Sequence, residues 1–332
     1  MFVSVVVPCY RSAATLPSLV QRLETVLSKT ATYEVILVVD GSPDRQTWEV
    51  ARELALHHPQ VKAMQLARNY GQHNALIAGV RAARYDVIVT MDDDLQHPPE
   101  EIPKLLDALT DDLDLVYGIA DREEHGIMRS LASRIIKSGM SSGMGVRDAR
   151  LLSAFRIFRT FLRDAFDAVQ GPHVSVDVSL SWATTRVGAV TVRMDDRREG
   201  QSGYTVRSLV AHALNMMFGY STKPLRLVTY LGFLVGVCGL ALTARVLWLY
   251  LVGGTTVAGF TTIASMVAIF SSAQMIAIGV LGEYVGRIHA HGMGRPTYVV
   301  RDWVAAAELR PEPALGRPVP PTRPPLARDG VR

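Results

Sequence analysis

Cysteine is nearly absent: the 332 residues contain two, Cys9 beside the first apolar run and Cys238 inside a much longer one. No disulfide framework can be built from that pair, which excludes the stapled domains of oxidising compartments and predicts a reduced, intracellular protein. The N-terminal residues lack the basic, apolar and small-residue order of a secretory leader, so about the first 220 residues are expected to stay in the cytoplasm. Internal repeats are also missing, which removes solenoids and propellers.

Charge is missing over two long stretches. From Leu227 to Val252 the one charged residue is Arg245, and from Thr255 to Gly282 there is none. Each run exceeds the roughly 20 residues a helix needs to cross the hydrocarbon, and both predict transmembrane helices. Buried hairpin helices of a soluble protein are the alternative, and the Gly-Gly turn between the runs argues against it. The composition agrees with a membrane protein: 48% hydrophobic residues, 20% charged and a mean hydropathy of +0.17 exceed what one soluble domain needs for its core. Lys223, Arg226, Arg287 and Arg295 flank the pair on one side, whereas the connecting loop from Gly253 to Gly259 is uncharged. Positive-inside bias then places both termini in the cytoplasm.

The net charge of +4 and a pI near 9.1 come from basic residues that are scattered or gathered near the membrane and in the tail. Anionic lipid or phosphate is the expected partner, and no nucleic acid. Residues 310–332, rich in proline and arginine, predict a disordered tail.

The first half of the chain alternates. Val3 to Val7, Glu34 to Val39, Val61 to Leu66, Asp86 to Met91 and Leu113 to Tyr117 are short runs rich in valine, isoleucine and leucine, as in strands buried on both faces. Between them lie helix-length segments, Thr15 to Ser28, Asp44 to His57, Gln72 to Arg84 and Pro99 to Thr110. Strand and helix in turn predict an α/β fold, a Rossmann-like and mostly parallel sheet with helices on both faces. Ligands bind such sheets beyond the carboxyl ends of the strands, here Pro8 to Arg11, Asp40 to Ser42, Arg68 to Gly71 and Asp92 to Gln96.

Each turn offers a chemistry beside a plainer role. Asp40-Gly41-Ser42-Pro43-Asp44 is either a capped strand-to-helix turn or a ligand-binding one. Arg68-Asn69-Tyr70-Gly71 sets a guanidinium and a flexible backbone at a helix start, suited to phosphate oxygens. In Asp92-Asp93-Asp94-Leu95-Gln96, alternate positions of an extended backbone turn Asp92, Asp94 and Gln96 to one side, an oxygen set that suits Mg2+ or Mn2+. A solvated acidic loop is the alternative, but three crowded carboxylates are costly without a cation.

Several motifs in fixed order carry a resemblance: VSVVVPCYRSAATL, VVDGSPD, LARNYGQHNAL, MDDDLQHPPE, SAFRIFR, RREGQSGY, STKPLRL and GEYVGRIHAHGMGRPTYVV. From about Val3 to Val300 the chain resembles the family-two glycosyltransferases that act on polyprenyl phosphates. Within them it is similar to undecaprenyl-phosphate 4-deoxy-4-formamido-arabinose transferases, dolichyl-phosphate mannose synthases and bactoprenol glucosyltransferases. The resemblance implies a GT-A fold over residues 1–205, an amphipathic interface helix over 206–224 and membrane helices over 225–252 and 257–285. A cytoplasmic juxtamembrane segment over 286–309 and the tail over 310–332 complete the order. Leu209, Val210, Leu214, Met216, Met217 and Phe218 give the interface helix its apolar side, although an ordinary core helix would show the same pattern.

By position, the resemblance puts Pro8, Tyr10, Asp40, Arg68, Asp92 and Asp93 at the nucleotide sugar, with UDP the first expectation, and Asp92, Asp94 and Gln96 at the metal. Arg197 and Ser202 belong to a loop that closes on the diphosphate in relatives, and Arg156 is a further catalytic cation. Arg129 and Arg134 are candidates for the acceptor phosphate, on a basic helix whose face is otherwise a solvated one. The implied reaction is inverting, metal-dependent sugar transfer to an undecaprenyl or related polyprenyl phosphate at the cytoplasmic membrane, in a homo-tetramer packed through its membrane helices. Departures from the family pattern are Arg11 and Ser12 in place of an Asn-Glu pair, Val39 in place of an aspartate, and Gly203 where many relatives have lysine. They leave a non-catalytic scaffold or regulator as the competing reading. A glycan polymerase is disfavoured by the absence of a Gln-x-x-Arg-Trp element and by the number of spans.

Overall fold

The computed structural model describes residues 1–120, 152–166, 174–195, 223–253 and 259–306. Eight strands form one sheet in the order β7-β5-β6-β4-β1-β2-β3-β8. Its centre is parallel: β1 (Phe2–Cys9) lies between β2 (Thr32–Val39) and β4 (Val87–Thr90), and β2 pairs with β3 (Val61–Leu66). Parallel neighbours need crossovers, supplied by α1 (Leu16–Leu27), α2 (Arg45–His57) and α3 (Gln72–Ala82). The residues of one strand alternate between two cores. Val3, Val5 and Val7 pack with the leucines of α1, while Val6 packs with Leu76, Ile77 and Val80 of α3. Helices therefore cover both faces, which is why these strands read as continuous apolar runs.

Beyond β4 the segment expected as one helix divides into a 3-10 turn, Pro99–Glu101, and α4 (Ile102–Ala108), with Pro103 at the start of α4. Proline supplies no N–H and suits a helix start, so a new start forms there. β5 (Leu115–Ala120), β6 (Arg156–Arg159) and β7 (Val187–Val192) complete one side, with β6 antiparallel to both β4 and β5. A 3-10 segment, Thr160–Phe166, and α5 (Val176–Ala183) pack under them.

Two helices follow, α6 (Lys223–Gly253) and α7 (Phe260–Gly292). Leu225–Arg245 and Ile269–Ala290 are long and apolar enough to cross a membrane, with mean hydropathies of 2.0 and 1.3, and neither is buried in the protein. Helices so apolar and so uncovered are not the core hairpin of a soluble domain. After α7 the chain returns to the sheet. β8 (Val300–Ala305) pairs antiparallel with β3, Val300 opposite Leu66 and Ala305 opposite Lys62. Antiparallel pairing means that β8 enters at the carboxyl end of β3, so the membrane hairpin joins the domain on the side where β1 to β4 end. The interface helix expected over 206–224 lies outside the described residues except for its last two positions, which begin α6, and the tail over 310–332 lies wholly outside them.

Candidate active site

A cavity of about 250 Å3 opens where β1 to β4 end, and four separate turns line it. Pro8, Cys9 and Tyr10 come from β1, and Asp40 from β2. Asn69, Gly71 and Gln72 follow β3, while Asp92, Asp93 and Asp94 follow β4.

Asp40 joins two of these turns. Its Oδ1 accepts the N–H of Tyr70 and its Oδ2 that of Gly71, each at 2.7 Å. Gly41 permits the approach: with φ +53°, a Cβ there would stand 2.1 Å from the Arg68 carbonyl carbon. Burial pushes the Asp40 carboxyl up, while the two backbone donors and Arg68 pull it down. The Arg68 guanidinium lies 4.5 Å from the centroid of the Tyr70 ring and does not itself line the cavity.

The acidic turn departs from the extended form expected for it. β4 ends at Thr90, Leu95 takes φ +61°, and the Gln96 N–H donates to Asp94 Oδ1 at 3.1 Å. The chain thus reverses, the Leu95 side chain enters the core, and the alternation that would have aligned Gln96 with Asp92 and Asp94 is broken. Asp92 and Asp94 still face one cavity; Gln96 is not part of its lining. Asp93 accepts the Tyr10 N–H at 3.1 Å, and burial lifts its pKa, helped by Asp94. Cys9 is inaccessible, its thiol pushed well up by burial and by Asp93, which makes it an inert wall.

No group of three or more His, Cys, Asp or Glu side chains is arranged for a metal among the described residues. The donors present suit a different mode, in which one or two carboxylates share Mg2+ or Mn2+ with substrate phosphates. Asp92 and Asp94 meet that requirement. Close by, His97 stacks on Phe155 with centroids 5.2 Å apart, and its Nδ1 is buried without a hydrogen-bond partner. Burial holds its pKa below the ordinary histidine value, against the pull of Asp94.

Arg156 lies elsewhere. Its side chain is 2% exposed, paired with Asp177 and donating to Thr90 Oγ1 at 3.0 Å, below the strand end rather than in the cavity. Arg129, Arg134, Arg197 and Ser202 lie outside the described residues. Asp195, two positions before Arg197, donates its N–H to the Gln96 carbonyl at 2.9 Å, so the chain leaves the described region at the acidic turn. Gln72 had not been singled out from the sequence. Its signal was its place as first residue of α3, where a side chain leans back over the preceding turn.

This architecture and the strand-end cavity match a transferase of activated sugars, and the chain belongs to glycosyltransferase family 2, whose description matches residues 4–169. It is 30% identical over 308 residues to the undecaprenyl-phosphate 4-deoxy-4-formamido-L-arabinose transferase of Aeromonas hydrophila, covering 92% of this chain and 94% of that one. To the protein of the same name from Pseudomonas fluorescens it is 30% identical over 320 residues, 96% of this chain and 92% of the relative. Among solved structures, the Pyrobaculum calidifontis mannosyltransferase PcManGT, in complex with GDP-Man and Mn2+, aligns with a TM-score of 0.48 at 15% identity over 86% of each chain.

Proposed function

We propose that this glycosyltransferase moves a sugar from a nucleoside diphosphate, UDP first among the candidates, to the phosphate of undecaprenol or a related polyprenol, with inversion, at the cytoplasmic membrane face. The observation that carries the reading is the return of the chain from α7 into the sheet. β8 meets β3 at the end where Asp40 and Asp92 lie, so the cavity and the membrane hairpin share one side of the domain. A lipid acceptor needs that arrangement, because its phosphate emerges at headgroup depth while its chain stays in the hydrocarbon.

The chemistry asks little of a general base. A phosphate monoester carries between one and two negative charges near neutral pH, so its oxygen attacks the anomeric carbon directly. The bond from that carbon to the β-phosphate oxygen breaks, and the nucleoside diphosphate leaves. Tyr10 and Asp40 hold the nucleoside, Arg68 stands behind them against Tyr70, and Asp92 and Asp94 would hold Mg2+ or Mn2+. The ion, when bound, neutralises charge on the leaving group. Arg197 and Ser202 close over the diphosphate, and Arg129 and Arg134 steady the acceptor phosphate. Four copies packed through α6 and α7 are the assembly to look for by mass photometry in detergent.

A transfer assay tests the reading. Purified protein in detergent is given undecaprenyl phosphate, Mn2+ and a panel of UDP-, GDP- and dTDP-sugars, with lipid products followed by mass spectrometry. One glycosyl-phosphoryl-lipid product confirms donor and acceptor class together. Metal-supported nucleotide binding with no turnover of any donor would favour a scaffold that kept the fold, and no binding at all removes the catalytic reading.

A further inference from the structure

Each of the three consecutive aspartates is restrained by a donor from a different place. Asp93 takes the Tyr10 N–H, Asp94 the Gln96 N–H, and Asp92 Oδ1 accepts from Nε2 of Gln72 at 2.6 Å. The amide orientation of Gln72 follows from chemistry, since an ionised carboxylate only accepts and the NH2 group must face it. Gln72 is exposed, lines the same cavity as Asp92, and belongs to another crossover of the sheet.

The approach of Gln72 is itself built. Asp40 clamps the N–H groups of Tyr70 and Gly71, and Gly71 turns the chain with φ +93°. Asn74 reaches back from the first turn of α3 to the Tyr70 carbonyl at 2.7 Å. With the turn held from both sides, the first side chain of α3 is delivered onto Asp92. Resting on the functional reading above, we propose that Gln72 is a positioning residue for that reaction: it fixes the Asp92 carboxylate toward the divalent ion and diphosphate, and its role is donation rather than packing.

Nucleotide binding by the full-length protein in detergent separates these roles. Isothermal titration of UDP, GDP and dTDP with and without Mn2+ measures how far the ion strengthens binding to the wild-type chain. Gln72→Met keeps the volume and removes the donor, and Gln72→Ala removes both. Both variants should lose about ten-fold of the Mn2+-supported affinity, as expected for a lost hydrogen bond to a charged group, with metal-free binding and thermal midpoint unchanged. Wild-type Mn2+ coupling in Gln72→Met overturns the positioning role and leaves the functional reading standing. Equal losses with and without Mn2+ also overturn it, because a lining role alone would act that way. If the wild-type chain binds none of the three nucleotides with Mn2+, the functional reading fails, and the inference with it.

Discussion

The guanidinium of Arg156 and the carboxylate of Asp177 form an internal ion pair, their side chains 2% and 15% exposed, with the Tyr117 hydroxyl on the same carboxylate at 3.2 Å. Burial, with Asp177 beside it, pushes the Tyr117 hydroxyl up, so it stays a neutral donor there. Breaking such a pair strands a charge that is mostly shut off from water. Arg156→Ala should cost about 3–5 kcal/mol of stability, while Arg156→Met with Asp177→Leu should recover most of it. Denaturation of the wild type and the two variants checks this; equal stability for wild type and the single variant would remove the structural role.

Asp94→Ala should leave the fold intact, because the carboxylate lies on a loop at the cavity and supports no core packing. Transfer should fall by about a hundred-fold or more, and nucleoside diphosphate binding should lose its dependence on Mn2+. Retention of metal-dependent binding would place the ion elsewhere.

A buried network at the opposite end of the sheet sets acid stability. Glu34 on β2 accepts from Ser4 on β1 at 2.6 Å and from the Arg84 N–H at 2.8 Å, and pairs with Lys62 on β3. Burial alone would raise the Glu34 carboxyl, but Lys62, Ser4 and Arg84 together hold it below its usual 4.5. Burial also holds the Lys62 ammonium below the lysine range, with Glu34 opposing. A carboxyl whose folded pKa is depressed contributes stability that is complete above the unfolded value and lost as pH falls through the folded one. Wild type should therefore lose stability steeply below about pH 4.5, and Glu34→Gln, weaker near pH 7, should show a flatter profile.

Topology is open to thiol labelling. The native cysteines are poor targets, Cys9 being buried and Cys238 lying in the first span. Thr256→Cys should react with a membrane-impermeant maleimide in intact cells, and Arg301→Cys only after lysis. The reverse pattern would invert the proposed orientation.

β8 ties the membrane hairpin to the catalytic sheet through Trp303, which packs against the core on the α3 face. Trp303→Ala should cost about 3 kcal/mol and raise KM for the lipid acceptor more than for the nucleotide sugar. Equal change in both constants would mean that β8 serves the fold alone.

Much of this was legible in one dimension. The valine-rich strands, the helices between them, the two long apolar runs and the acidic turn after β4 are signals confined to short windows, where periodicity, composition and covalent reach act. Asp40, Asp92, Asp93 and Asp94 could be assigned to strand ends for the same reason. β6, β7 and β8 were missed as strands. Arg-Ile-Phe-Arg has no strong period of its own, and its place between β4 and β5 is decided by distant backbone partners. The left-handed turn at Leu95 likewise depends on what surrounds it: an apolar core on one side and the Asp195 N–H on the Gln96 carbonyl.

By itself the sequence determined the class of sheet, the presence of the spans and the kinds of side chain at the strand ends, because local pattern and burial dictate them. Only the tertiary structure decided that Gln72 rests on Asp92, that Arg156 is shut in with Asp177, and that the chain beyond the membrane completes the sheet beside the cavity. Those contacts join residues far apart in the chain, and no local propensity encodes which of many polar partners a folded backbone will bring within 3 Å.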